Sequence, residues 1–367
     1  MEHYDAEAQV FTLSLAQSCP ATPGQPQKQP FHIPVALGLV SPDGREMLGA
    51  AGQANGFEIG VENGSAVENP RGDGTLIAHL KTNVATLRFT NVAERPVLSF
   101  LRDFSAPVKV RMERTLEDLA FLMVHDADGF ARWDAAQDFY SRVLLARVAE
   151  ADAPIPPIFD EVVGRLLAGA ADAADDGEAK ALFAAMLVLP SSEYLGQQMA
   201  VVDVDGIHAA REGMRAHLAS TFAADWAALY AANGSDAAYA PDAVGIARRS
   251  LRNLALAYLA LGGSDGVQTA QAQYASADNM TDRLSALRCI AWNDKGDAAA
   301  TALADFLERY RKEARVVDQW FATQALDGSE GTLDRVKALT EHEAFDQRNP
   351  NKVRSLIGAF CAQNAVR

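Results

Sequence analysis

The sequence predicts two domains of different class in series, an antiparallel β-sandwich followed by an irregular α-solenoid, a superhelix of the HEAT or armadillo type. Three observations lead there. The chain has 367 residues, more than one ordinary core accommodates. Its first hundred residues carry short apolar segments that alternate with a period of two, as half-buried strands do. Beyond Phe104-Ser105-Ala106-Pro107, alanine and leucine dominate and the apolar spacing becomes helical. The sandwich is assigned to residues 1–108 and the helical superhelix to 109–367.

The strands come first. Val10 to Leu15 alternates, with Phe11, Leu13 and Leu15 on one face and Val10, Thr12 and Ser14 on the other. Gln17 to Pro30 holds four prolines and reads as an irregular connection. Phe31 to Val40 is a second strand, closed by the turn Ser41-Pro42-Asp43-Gly44, in which proline presets φ and glycine accepts a positive φ. Thr75–Leu80 and Thr86–Phe89 add further short strands. The helices follow. Arg248 to Leu261 places Leu251, Leu254, Ala255, Tyr258 and Leu259 on one stripe, and Asp282 to Trp292 repeats the device with Leu284, Leu287, Cys289 and Ile290. Breakers separate them: Pro154-Ile155-Pro156-Pro157, Pro190-Ser191-Ser192, Asn233-Gly234-Ser235 and Gly262-Gly263. Short links imply antiparallel neighbours, and helix pairs in series stack into a curved surface.

Composition excludes several functions. A net charge of −15 without clustered Lys and Arg argues against nucleic acid. No apolar run reaches the roughly 18 residues of a membrane span. Cys19, Cys289 and Cys361 are too scattered for a disulfide framework or a metal knuckle and fit a reducing compartment, so a cytoplasmic location is expected. Met1-Glu2-His3-Tyr4-Asp5 is no signal peptide, and Met1 reads as a fragment boundary.

A search for catalytic groups finds none. A zinc peptidase of the His-Glu-x-x-His type needs two histidines one helical turn apart with a glutamate base between them. The His342-Glu343 dipeptide is followed by Asp346, not by a second histidine. His208 and His217 stand about 2.5 turns apart on one helix and point in opposite directions. A hydrolase built on His125, Asp126 and Asp128 has only residue type behind it. Asp172, Asp175, Asp176 and Glu178 read as a solvated loop or helix start. Arg71-Gly72-Asp73-Gly74 reads as a turn, and Asn63-Gly64-Ser65 as a chance glycosylation triplet. No metal-ligand set and no cofactor site are recognised. One segment stands out: Arg348-Asn349-Pro350-Asn351-Lys352-Val353-Arg354-Ser355-Leu356 starts a helix, with Asn349 as N-cap and Pro350 at the first position. Arg354, one turn in, either anchors neighbouring loops through its planar fork or faces a substrate cavity.

Several segments together resemble the C-terminal two domains of bacterial aminopeptidase N, the zinc metallopeptidase family of the alanyl aminopeptidases. They are Tyr4–Leu15, Gln27–Pro34, Arg95–Val108, Phe130–Gln137, Arg249–Asn253, Asn279–Asp282, Asp318–Phe321 and Asn349–Phe360, in the family's order along the whole chain. The resemblance implies an architectural role. The family's zinc ligands and catalytic groups lie upstream, so the chain carries no cofactor and is expected to be inactive alone, while the full-length enzyme binds Zn. It also implies that the helical domain closes over the upstream catalytic domain, its partner, and encloses a chamber that admits peptides. Arg354 is assigned to receive the far end of a peptide, where a carboxylate meets a guanidinium. The alternative is a stand-alone solenoid that binds peptides or a protein. The family continues past the point matching Arg367, so Leu356, Ile357 and Phe360 are expected to lack cover and to favour dimerisation.

Overall fold

The computed structural model describes residues 1–48, 59–62, 66–68, 73–174, 176–235, 237–294 and 296–364. Asn63-Gly64-Ser65, Arg71-Gly72 and Asp175 lie outside the described residues. Contacts divide the chain into two units, Met1–Tyr140 with Pro157–Val162, and Ser141–Pro156 with Val163–Arg367.

The first unit is built on eight strands among the described residues: β1 (Glu2–Asp5), β2 (Val10–Ala16), β3 (Ile33–Val40), β4 (Ile59–Glu62), β5 (Ala66–Glu68), β6 (Leu76–Leu80), β7 (Val84–Phe89) and β8 (Val97–Phe100). They form two four-stranded antiparallel sheets, ordered β1-β2-β7-β4 and β5-β6-β3-β8. Register follows the apolar alternation: Leu13 pairs with Leu87 in the first sheet and Ala78 with Val35 in the second. Phe11, Leu13 and Leu15 of β2 join Ala85, Leu87 and Phe89 of β7, and across the sandwich Val35, Leu37 and Leu39 of β3, in one core. Each of the Leu, Val and Phe side chains contributes about 1.5–3 kcal/mol by leaving water. The strand faces read from the sequence are thus observed.

After β8 the chain turns sharply through a 3₁₀ turn at Arg102–Phe104. Leu101, Asp103 and Phe104 all have φ between 51 and 57°, left-handed conformations that cost non-glycine residues roughly 1–2 kcal/mol each. A buried polar cluster holds them. Arg102 is 1% exposed. Its Nη2 donates to Glu46 Oε1 (2.6 Å) and Asp126 Oδ1 (2.9 Å), its Nε to Ser99 Oγ (2.8 Å) and its Nη1 to Thr75 Oγ1 (3.2 Å). Gly38 on β3 leaves room for this guanidinium, since a Cβ there would overlap it. Asp126 closes α1 (Leu116–His125), which opens on a capping box formed by Thr115 and Asp118. Asp128 Oδ2 accepts from Asp103 N at 3.1 Å, and its Oδ1 accepts from Ala131 N at the start of α2 (Gly129–Ala149).

The second unit is helical. It takes the rest of α2 and of α3 (Pro157–Asp172), then α4 (Gly177–Met186), α5 (Ser192–Gly196), α6 (Val204–Thr221), α7 (Ala223–Ala232), α8 (Ala243–Gly262), α9 (Ser264–Ser276), α10 (Met280–Asn293), α11 (Ala298–Tyr310), α12 (Ala314–Ala325), α13 (Thr332–Leu339), α14 (Pro350–Val353) and α15 (Ala359–Gln363). The breakers act as read. Pro157 takes the first position of α3, Ser191 caps α5, Asn233 ends α7, and Gly263, at φ 138°, separates α8 from α9. Asp176, Asp203, Asp242 and Asn279 accept backbone N–H groups at the starts of α4, α6, α8 and α10, each cap contributing about 1 kcal/mol.

Two expectations change in detail. On α8 the buried face runs through Leu251, Ala255, Leu256, Tyr258 and Ala260, whereas Leu254 and Leu259 are only half-buried. The final helix does not shed its apolar face. Leu356 and Phe360 are 0% and 9% exposed in a core shared with Phe321 and Ala325 of α12, and only Ile357, at 38%, faces solvent. The expected exposed patch, and the dimerisation argued from it, therefore lose their basis.

Candidate functional site

The segment that stood out in the sequence has an unusual backbone. Asn349 Oδ1 accepts from Asn351 N, and Pro350 opens α14 as expected. At Arg354–Gly358 the helix widens into a π turn, with Ala359 N donating to Arg354 O, before α15 resumes. Such turns insert one residue into a helix and recur at functional sites.

Arg354 lies on the wall of an open groove of about 880 Å³ within the helical unit. Three elements meet there. Arg288 comes from α10, Arg315, Asp318, Gln319 and Ala322 from α12, and Asn351, Arg354, Ser355 and Gly358 from the last helix. Arg288 Nη2 donates to Gln319 Oε1 at 3.2 Å, and burial pushes its guanidinium below the usual arginine range. Its Nε is buried with no hydrogen-bond partner among the described residues. Asp318 is the carboxylate of the groove, and buried Lys352 stands 2.8 Å from its Oδ1 while donating to Ala314 O at 3.1 Å. That ion pair leaves three guanidinium groups without a carboxylate of their own in the groove. Arg315 and Arg354 are exposed, and their guanidinium groups form no hydrogen bond or ion pair among the described residues. In a chain of net charge −15, this is a local cationic wall suited to a carboxylate or another oxyanion.

The sequence singled out Arg354 but not Arg288 or Arg315. The Asp318–Phe321 segment carries the resemblance but no site role in the sequence. Only folding brings α10, α12 and the last helix together.

The other flagged residues have structural duties. His342 Nδ1 accepts from Ala344 N, and its ring lies 5.2 Å from that of Trp320. His208 and His217 are half-buried on α6. Asp126 serves Arg102, Asp128 caps α2, and the His125 ring stacks on Phe121 at 4.6 Å. Among the described residues, no three or more His, Cys, Asp or Glu side chains stand in position to share a metal ion. Asn253, Gln273, Asn279 and Asp282, partly within segments that carried the resemblance, form a polar staple between α8, α9 and α10. Asn253 Nδ2 and Asn279 Nδ2 each donate to an Asp282 carboxylate oxygen at 2.8 Å, and Gln273 Nε2 donates to Asn253 Oδ1 at 2.8 Å. No helix among the described residues is long and apolar enough to cross a membrane.

Comparison with known proteins agrees with this architecture. A domain of unknown function described as an Ig-like fold (DUF3458) matches residues 1–113, and one described as ARM repeats (DUF3458_C) matches residues 116–367. The chain belongs to the DUF3458_C family and is homologous to the C-terminal part of aminopeptidase N. It is 32% identical to aminopeptidase N of Escherichia coli (strain K12) over 99% of its length, covering 39% of that protein. Identity to aminopeptidase N of Haemophilus influenzae is 30% over 98% of the chain, again covering 39% of the relative. Aminopeptidase N of Caulobacter vibrioides is 32% identical over 80% of the chain and is covered over 33% of its length. The chain thus spans well under half the length of the relatives it matches. The crystal structure of Legionella pneumophila aminopeptidase A in complex with aspartic acid has the same fold, with a TM-score of 0.78 over 98% of this chain, 39% of that chain and 23% identity.

Proposed function

We propose that this chain is the non-catalytic C-terminal region of a cytoplasmic zinc aminopeptidase, with residues 1–108 as its sandwich domain and 109–367 as its helical domain. In this reading it encloses the active-site chamber of an upstream, zinc-bearing catalytic domain and shapes the access of peptides. The observation that carries the reading is identity of 30–32% to aminopeptidase N over nearly the whole chain. Enclosure contributes to rate without supplying a catalytic group, by excluding water and by orienting the chain to be cut. Arg354 receives the free carboxylate at the far end of a peptide. Its exposed, unpartnered guanidinium beside Arg315 and Arg288 supports that assignment.

The test has two arms. The chain is assayed with zinc on an alanyl chromogenic substrate, and no turnover is expected; turnover abolished by a chelator would overturn the non-catalytic role. Binding of a short peptide is then compared with that of its C-terminally amidated form. Arg354→Ala should weaken the free-carboxylate peptide by roughly tenfold, since a hydrogen bond to a charged group contributes about 1.5–3 kcal/mol, and should leave the amidated form nearly unchanged. Equal affinities for protein with and without Arg354 would remove its role.

A further inference from the structure

The face of the second sheet that points away from the core carries a pair of histidines backed by a carboxylate. On β6, Leu76, Ala78 and Leu80 enter the core, so His79 points the other way. His79 pairs in register with Pro34 of β3 on one side and Ala66 of β5 on the other. His32, just before β3, brings its Nε2 to 2.8 Å from His79 Nδ1, with the two rings 5.0 Å apart. On the far side of the His79 ring, Glu68 of β5 places Oε1 3.5 Å from Nε2. That Nε2 is buried and has no hydrogen bond. The chain order is therefore carboxylate, imidazole, imidazole.

We propose that His32 and His79 form a two-imidazole site for a borderline divalent transition ion such as Zn²⁺ or Ni²⁺, with Glu68 as the carboxylate behind His79. Imidazole nitrogens bind zinc at about 2.0–2.1 Å, so two of them at the tetrahedral angle stand about 3.3 Å apart. The observed 2.8 Å needs to open by only about 0.5 Å, and His32 is exposed and outside any strand. A metal-bound histidine characteristically directs its other ring N–H at a carboxylate, which fixes the tautomer and raises the ligand's basicity. Once Nδ1 of His79 binds the ion, Nε2 carries the proton, and the exposed Glu68, already 3.5 Å away, closes on a nitrogen that otherwise makes no hydrogen bond. Since no third ligating side chain is in place among the described residues, water completes the coordination and the site stays open to an added ligand. Imidazole donors select for Zn, Ni and Cu over Mg or Ca.

The experiment is isothermal titration of the whole chain with NiCl₂ and, separately, ZnCl₂, in a buffer that does not bind metal. One stoichiometric step is expected, and saturating Ni²⁺ should raise the melting temperature by mass action. His79→Ala and His32→Ala should each abolish the step, and Glu68→Gln should weaken it by about 10–100-fold. Far-UV circular dichroism checks each fold, and the exposed His32 keeps the test decisive if His79→Ala unfolds. A step of unchanged affinity in His32→Ala, or no step in the parent protein, would overturn the proposal.

Discussion

Replacing Arg102 with methionine should destabilise the sandwich unit far more than a typical arginine substitution. The guanidinium is 1% exposed, and Asp126, one of its two carboxylate partners, has a side chain that is 0% exposed. Without the arginine, Asp126 keeps a backbone donor, Asp128 N at 3.0 Å, but loses the cation that offsets its burial. Removing one partner of a buried pair costs about 3–5 kcal/mol, a large share of the 5–15 kcal/mol that holds a domain folded. The strained residues Leu101, Asp103 and Phe104 depend on the same cluster, so the loss should fall at the upper end. Native-state hydrogen exchange of the β3 and β8 amides, read against urea, measures it locally. A companion variant, Arg102→Met with Glu46→Met and Asp126→Leu, removes every charge and should recover much of the deficit. A single-variant loss below about 1 kcal/mol, the level of an exposed pair, would mean that the buried ion pair does not hold this turn, as would a triple variant no better than the single one.

Gly38→Ala should mimic loss of Arg102 in the same exchange measurement, because its methyl displaces the guanidinium. A thiol reagent at pH 8 should label Cys19 and Cys361 quickly and Cys289 only on unfolding, since burial pushes the Cys289 thiol up to about 12. Stability should fall in alkali. The neutral forms of Cys289 and of Tyr258, also pushed up to about 12 by burial, stabilise the fold fully below the unfolded values near 9 and 10. That contribution is lost as pH rises from those values through about 12, at up to about 1.4 kcal/mol per pH unit for each group, measurable as a falling melting temperature. Asp282→Ala leaves the amide of Asn253 without its acceptor and takes from Asn279 Nδ2 one of its two, Asp278 Oδ1 remaining. It should cost about 2–3 kcal/mol of helical-unit stability in chemical denaturation.

Much of the architecture could be read because it is local. Phe11, Leu13 and Leu15 alternate, and one face of a strand has to meet a core. The proline, serine and glycine breakers fix helix ends by backbone chemistry alone. The strands β1, β4 and β5 are only three or four residues long, too short for a period to declare itself. Their membership comes from pairing with distant partners. The stripe on α8 was displaced because Leu256 and Ala260 are buried by neighbouring helices, which helical periodicity does not identify. The cover over Leu356 and Phe360 comes from α12, thirty or more residues earlier, a contact that position near the end of the chain does not reveal. The groove had the same limit: Arg354 announced itself beside a capping motif, whereas Arg288 and Arg315 look like any surface arginine until three helices converge. His32 and His79 are forty-seven residues apart, and nothing in their separate surroundings pairs them.

The widened turn at Arg354–Gly358 carries an evolutionary consequence. One added residue rotates everything downstream by about 100° relative to a plain helix. Insertions of this kind are absorbed without breaking the rod, so the length of this segment can drift by one while both flanks stay helical. Deleting Ser355 would leave a regular, foldable helix. Arg354 and the buried pair Leu356 and Phe360 would then no longer point to opposite sides, and either the cationic wall or the seal against α12 would be sacrificed. Relatives that vary in length here should therefore differ in what they recognise more than in how firmly they fold.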